Sequence, residues 1–152
     1  MQIWVDADAC PGTVKDILFR AADRLQIRVT LVANRMLKTP RSPWIKAIQV
    51  PQGFDVADNR IAELAQPGDL VITADIPLAA QALAHGAQVI DPRGEAYTRD
   101  NIEERLSVRS FMEEMRSSGV ATGGPAPYAV ADGKAFADRL DRLLTQLAKT
   151  RK

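Results

Sequence analysis

Apolar positions along this chain switch repeatedly between a strand-like run and a helix-like spacing. Ile3 to Val5 is a short apolar run, and from Thr13 the spacing turns helical, with Val14, Ile17, Leu18, Ala21, Ala22 and Leu25 on one face. Arg28 to Ala33 and Ile45 to Val50 read as a second and a third strand. Pro51 and Gly53 break the third, Asp55 is placed to cap a helix through Ala65, and Pro67-Gly68 ends that helix. Leu70 to Thr73 predicts a fourth strand, and Leu78, Ala79, Ala82 and Leu83 a helix stopped by Gly86. Val89 and Ile90 give a short fifth strand before the turn Asp91-Pro92-Arg93-Gly94. Thr98 can cap a helix towards Arg116, and Ser117 to Pro127 reads as a loop. From Asp132 to Lys149 the stripe of Phe136, Leu140, Leu143, Leu144 and Leu147 predicts an amphipathic helix packed on the domain.

Short Ile/Val-rich runs alternating with helices imply right-handed crossovers and a mostly parallel sheet covered on both faces. The expected fold is therefore a three-layer, doubly wound α/β domain with a sheet of about five strands. At 46% hydrophobic residues the chain can fill one core, so residues 1–152 are expected to form a single domain. No run reaches the roughly 18 apolar residues of a membrane span, and Met1-Gln2-Ile3-Trp4 carries no signal-peptide core. A soluble, cytoplasmic protein with no membrane partner is expected. Cys10 is the single cysteine, which excludes an intrachain disulfide and a cysteine-built zinc site. A catalytic metal would have to be held mainly by oxygen.

Six aspartates fall at or just beyond the ends of the predicted strands: Asp6, Asp8, Asp55, Asp58, Asp75 and Asp91. The carboxyl ends of parallel strands share one crevice, so acids far apart in sequence can meet there. At about 6 Å and an effective dielectric near 20, each ionised pair costs roughly 3 kcal/mol. A bound Mg²⁺ or Mn²⁺ relieves that repulsion. Asp6 and Asp8, two apart in an extended segment, project from one face, and Asp75 emerges at the tip of a neighbouring strand. Asp55 and Asp58 are about one helical turn apart. Each acid also has a plain structural use, Asp55 as a helix cap and Asp91 as a turn residue before proline. Asp6, Asp8 and Asp75 are the candidate catalytic acids, and all six are candidate ligands.

The blocks VDADACPG, GFDVADNRI, GDLVITADIPLA, DPRG and TGGPAP, spread over most of the chain, resemble the signature blocks of the bacterial YaiI/YqxD family. That family is similar to PIN-like nuclease domains, in which strand-end acids bind Mg²⁺ or Mn²⁺ and hydrolyse phosphodiesters, usually of RNA. The resemblance implies Asp6 as the first-strand acid and Asp75 as the acid after the fourth strand. Asp8 belongs to the family motif without a fixed place in the PIN pattern. Asp55 or Asp58 would supply the middle acid, and Asp91 the late one.

A net charge of +1 argues against coating nucleic acid by bulk electrostatics. Locally the picture differs. From Arg24 to Phe54 there are Arg24, Arg28, Arg35, Lys38, Arg41 and Lys46 and no acid. The segment from 35 to 46 interleaves Arg35, Lys38 and Arg41 with Trp44, the composition of a loop that binds a single strand through its phosphates and one stacked base. The alternative is a solvated connection whose tryptophan packs on the domain edge. Lys15 and Arg93 are further phosphate-contact candidates, so the expected partner is nucleic acid, RNA before DNA. Gly123-Gly124-Pro125 can offer amides to an anion, but no GxGxxG or GxxxxGK[ST] opens a helix. His85 is expected at a helix C-terminus and Cys10 as a small packed side chain. Two other functions fit: a phosphomonoesterase with Asp6 as nucleophile and Asp8 as acid/base, and a non-catalytic RNA-binding module.

Overall fold

The computed structural model describes residues 1–53, 56–119 and 127–150. Six strands make one sheet: β1 (Gln2–Asp6), β2 (Arg28–Ala33), β3 (Ile45–Gln49), β4 (Leu70–Ile72), β5 (Gln88–Ile90) and β6 (Ala96–Tyr97), in the order β3-β2-β1-β4-β5-β6. All neighbours pair in parallel except β5 and β6. Helices α1 (Gly12–Leu25), α2 (Val56–Leu64), α3 (Ile76–Ala84), α4 (Ile102–Ser117) and α5 (Val130–Thr150) complete the fold. Among the described residues no helix is long and apolar enough to cross a membrane.

Alternate residues of each strand feed two cores. Ile3, Val5, Val29, Leu31, Ile72 and Ile90 face a layer built by Val14 and Leu18 of α1 and Phe136, Leu140 and Leu144 of α5. Trp4, Val32, Val71 and Val89 face Ile61 of α2 and Leu78, Ala79 and Ala82 of α3. α4 leans on α3. The three-layer α/β architecture expected from the apolar runs is thus the one observed, and its winding reverses between β1 and β4. Strands leave β1 in one direction through α1 and leave β4 in the other through α3, which opens a crevice outside the carboxyl ends of that pair.

Four details differ from the expectation. β6 is an added antiparallel edge strand; two residues carry no periodicity to read. The β2–β3 crossover, 34–44, is non-helical, as the loop-like segment from 35 to 46 implied, but β3 keeps Lys46, Ala47 and Gln49 exposed instead of being covered on both faces. Thr98 does not cap α4 directly. It exchanges bonds with Asn101 in a preceding turn, and the helix begins at Ile102. The last helix starts at Val130, two residues before the expected Asp132. Its stripe of Phe136, Leu140 and Leu144 is buried and Leu143 half-buried, whereas the Leu147 side chain lies outside the described residues.

Gly94 shows how α5 is fastened. At φ 87° a Cβ on this residue would stand 2.7 Å from the Ala135 carbonyl oxygen, so only glycine lets the β5–β6 turn touch the helix backbone. Arg139 Nε then donates to the Gly94 carbonyl at 3.2 Å, and Tyr128 Oη donates to that of Pro92 at 2.8 Å.

Candidate active site

Asp6 closes β1 and is buried, and Thr73 follows β4, the neighbouring strand. The Thr73 hydroxyl donates to Asp6 Oδ2 at 3.0 Å and accepts the Asp75 backbone N–H at 3.0 Å. One hydroxyl therefore ties both strand ends together, with Asp75 N within two hydrogen-bond lengths of the Asp6 carboxylate. Asp75 caps α3, its Oδ1 accepting from Leu78 N at 2.9 Å. Asp8 sits in a 3-10 turn just after β1, where Oδ2 accepts from Asn34 N at 2.9 Å and Oδ1 lies 4.0 Å from Arg35 Nε.

Burial pushes the Asp6 carboxyl above the ordinary carboxylate range; the Thr73 bond opposes this, and the charges of Asp75 and Asp8 add to it. The three acids form one electrostatic group around the β1–β4 switch point. Among the described residues, however, no three Asp, Glu, His or Cys side chains are arranged as a ready shell for an ion. The donor set suits a hard divalent cation that takes one or two carboxylates and keeps several waters.

The other candidate ligands are distributed differently. Asp55 lies outside the described residues. Asp58 is half-buried in the first turn of α2. Asp91, buried after β5, spends Oδ1 on its own turn, accepting from Arg93 N and Glu95 N at 2.9 Å each. Its carboxyl is also raised, first by burial, against the two backbone bonds.

The basic residues do not gather at one place. Lys15, in the first turn of α1, lies close enough to Cys10 for its charge to act on the thiol. Arg35 stands beside Asp8, at the carboxyl end of the sheet. Trp44 precedes β3 at the amino end, its carbonyl accepting from Val29 N at 2.7 Å, and the exposed Lys38 and Arg41 lie on the connection between those ends. Arg93 is engaged: Nη1 donates to Asp132 Oδ2 at 3.0 Å, and its guanidinium stacks on Tyr128, 5.7 Å from the ring centroid. Gly123-Gly124-Pro125 lies outside the described residues. His85 is the exposed C-cap of α3. Cys10 is half-buried against the first core, and burial raises its thiol to about 12, so it is a weak nucleophile at neutral pH.

With this geometry in place, comparison with known proteins adds the lineage. Residues 4–146 match the model described as "Uncharacterized BCR, YaiI/YqxD family". The chain belongs to the YaiI/YqxD family. It is similar to a UPF0178 protein of Burkholderia ambifaria, 66% identical over 149 residues that cover 98% of this chain and 99% of that one. A UPF0178 protein of Janthinobacterium sp. is 64% identical over 146 residues, 96% and 97% of the two chains. One from Herminiimonas arsenicoxydans is 62% identical over 149 residues, 98% and 100%. No solved structure matches.

Thr73, which holds this YaiI/YqxD-family site together, and Asp69, a buried acid at the other end of β4, are not singled out by the sequence pattern. The apolar run marks Thr73 only as the last residue of a strand; the Thr-x-Asp spacing at 73–75, which places a hydroxyl below a helix-capping acid, is the available signal. Asp69 lies at the opposite end of the sheet from that site. Buried at the amino end of β4, it accepts from Gln2 N, Gln66 N and Trp4 Nε1 at 3.0, 2.9 and 3.0 Å, an acid consumed by structure.

Proposed function

We propose that this protein is a Mg²⁺- or Mn²⁺-dependent nuclease of the cytoplasm, hydrolysing phosphodiesters of single-stranded nucleic acid, RNA in preference to DNA, at the β1–β4 crevice. The observation that supports it most is Asp6. A buried carboxyl whose charge is opposed by burial and by two neighbouring acids, held by one hydroxyl at a topological switch point, is poorly explained as a structural device. The preference for RNA comes from the resemblance to PIN-like nuclease domains.

Asp6 and Asp75 would hold the ion, with Asp8 adding charge at the rim. A divalent ion in that place supplies Lewis-acid polarisation of a phosphoryl oxygen and makes water a better nucleophile at neutral pH. The chain's own part is positioning. Thr73 fixes the Asp6 rotamer and the height of the Asp75 backbone, so the two carboxylates do not spread apart under their repulsion. Capping of α3 holds the Asp75 side chain. Lys15 at the start of α1 and Arg35 beside Asp8 would offset substrate charge, and neither replaces the ion in the chemical step.

The test pairs melting temperatures of wild type, Asp6→Asn and Asp75→Asn, in EDTA and in millimolar Mg²⁺ or Mn²⁺, with cleavage of RNA and DNA oligonucleotides and of a phosphomonoester. A metal-induced rise confined to wild type, with oligonucleotide cleavage that both substitutions remove, is the expected result. Equal rises in all three proteins would sink the metal site. A rise in wild type without hydrolysis of any substrate would make this a non-catalytic module, and hydrolysis of the monoester alone a phosphatase.

A further inference from the structure

On the second face of the sheet, α2 packs on β1, β2 and α3, while Arg28 and Lys46 at the amino ends of β2 and β3 stay exposed. A cleft of about 440 Å³ lies there, within the size range of small-ligand sites. Its lining follows from strand register. Trp4, Thr30 and Lys46 stand in one row across β1, β2 and β3, and Gln2 pairs with Arg28 in the row below. Partners in parallel register share a face, so the two cations and the Trp4 indole point into the same space. Trp44 closes the cleft from the end of the crossover, half-exposed.

These groups differ in how they are held. Trp4 is fixed as a floor, its indole N–H given to Asp69. Trp44 is anchored through its backbone: its N–H donates to Ser42 Oγ at 3.1 Å, and Ser42 in turn donates to Asp23 of α1. Arg28 and Lys46 are exposed, and neither makes an ion pair or a hydrogen bond with another described side chain. Trp4 is buried, so the surface open to a base is that of half-exposed Trp44, which packs partly against the first core and also lines the cleft. Beside two uncommitted cations it is complementary to a base and its flanking phosphates. The cleft is also joined to the acids. The crossover that ends at Trp44 starts at Asn34, bonded to Asp8, and carries exposed Arg35, Lys38 and Arg41 along the way. The distance spanned is the length of the strands, about 15 Å, which a few nucleotides cover.

We infer that this cleft is a second subsite for single-stranded nucleic acid, with a base stacked on Trp44 and phosphates on Arg28 and Lys46, from which the strand runs over the 34–44 crossover to the acidic crevice. The strand's destination rests on the function proposed above; its binding in the cleft does not, and the two are measured separately.

The experiment is a fluorescence-anisotropy titration of the full chain with a labelled short oligouridylate in EDTA, over a range of salt concentrations. Replacing Arg28 and Lys46 together by Ala, both on the surface, weakens binding and lowers the slope of log K against log salt by about 1.4, the single-strand value for two phosphates. Trp44→Leu weakens binding on the order of 5- to 150-fold and leaves the slope unchanged. Asp6→Asn, which removes cleavage under the proposed function, leaves both quantities unchanged or binds more tightly. Unaltered affinity and slope in the Arg28/Lys46 double variant would overturn the inference, whether or not Trp44→Leu folds. Competition by uridine monophosphate as strong as that of the oligomer would overturn the strand, leaving a nucleotide pocket; equal competition by inorganic phosphate would leave only an anion site. Binding that follows these expectations, in a protein that cleaves nothing with Mg²⁺ or Mn²⁺, would remove the nuclease reading and keep the cleft.

Discussion

Asp6 and Asp91 end the two parallel strands that flank β4, and burial raises both carboxyls above the ordinary range, yet their lone pairs go to different places. Asp91 turns inward on its own chain and fastens Arg93 N and Glu95 N, making the turn that Gly94 presses against α5. Asp6 accepts a single side-chain hydroxyl from the next strand and faces two further acids. Position at a strand end therefore does not by itself decide what a buried aspartate does. The two differ in what holds the carboxylate: two backbone N–H groups of its own turn at Asp91, one side-chain hydroxyl from across the sheet at Asp6.

The sharpest way to break this contrast is by rate. Asp6→Asn lowers metal-dependent oligonucleotide cleavage on the order of 100-fold or more, while Asp91→Asn, whose amide oxygen still accepts the two N–H groups, keeps both cleavage and the metal-induced rise in melting temperature. Loss of both on Asp91→Asn would return it to the ligand set. Stability comes next. Asp91→Ala strands two turn N–H groups and costs about 2–4 kcal/mol in urea denaturation with EDTA, whereas Asp6→Asn in the same assay is neutral or gains up to about 1 kcal/mol. Gly94→Ala, which forces a Cβ against the Ala135 carbonyl, costs about 1–3 kcal/mol.

A smaller effect concerns pH. A carboxyl raised above its unfolded value near 3.8 holds its proton more tightly in the native state. Asp6 therefore contributes most below that value, and its contribution falls as pH rises through the folded pKa. In metal-free buffer the advantage of Asp6→Asn over wild type should grow from about pH 4 towards neutrality, and Mg²⁺ should shrink it. A constant difference across that range would mean that the Asp6 charge is not opposed by its surroundings. Smallest of all is Asp75→Asn without metal, expected within about 0.5 kcal/mol of wild type, because Asn caps a helix nearly as well as Asp.

Much of the architecture was legible because buried parallel strands write themselves as unbroken apolar runs; Ile3–Val5, Leu70–Ile72 and Val89–Ile90 each stood out between helical spacings. β3 was harder. Its Lys46 and Gln49 mark a strand exposed on one side, and its edge position is set by the strand order, which no local pattern announces. The acids were legible as a set, but their division into Asp6, Asp8 and Asp75 near one another and Asp91 in its own turn depends on backbone donors that sequence does not display. The basic segment from 35 to 46 looked like one patch; it runs the length of the sheet, so Arg35 and Trp44 end at opposite poles.

The fastening of α5 has a consequence for biosynthesis. Phe136, Leu140 and Leu144 cover a sheet face whose strands are translated much earlier. A nascent chain that has released β1 to β5 therefore has only α1 on the face of Ile3, Val5, Leu31 and Ile72, and the share covered by α5 stays open until that helix clears the ribosome. A chain cut short before residue 136 would keep that apolar surface open and is expected to aggregate and to be cleaved more readily than the full chain.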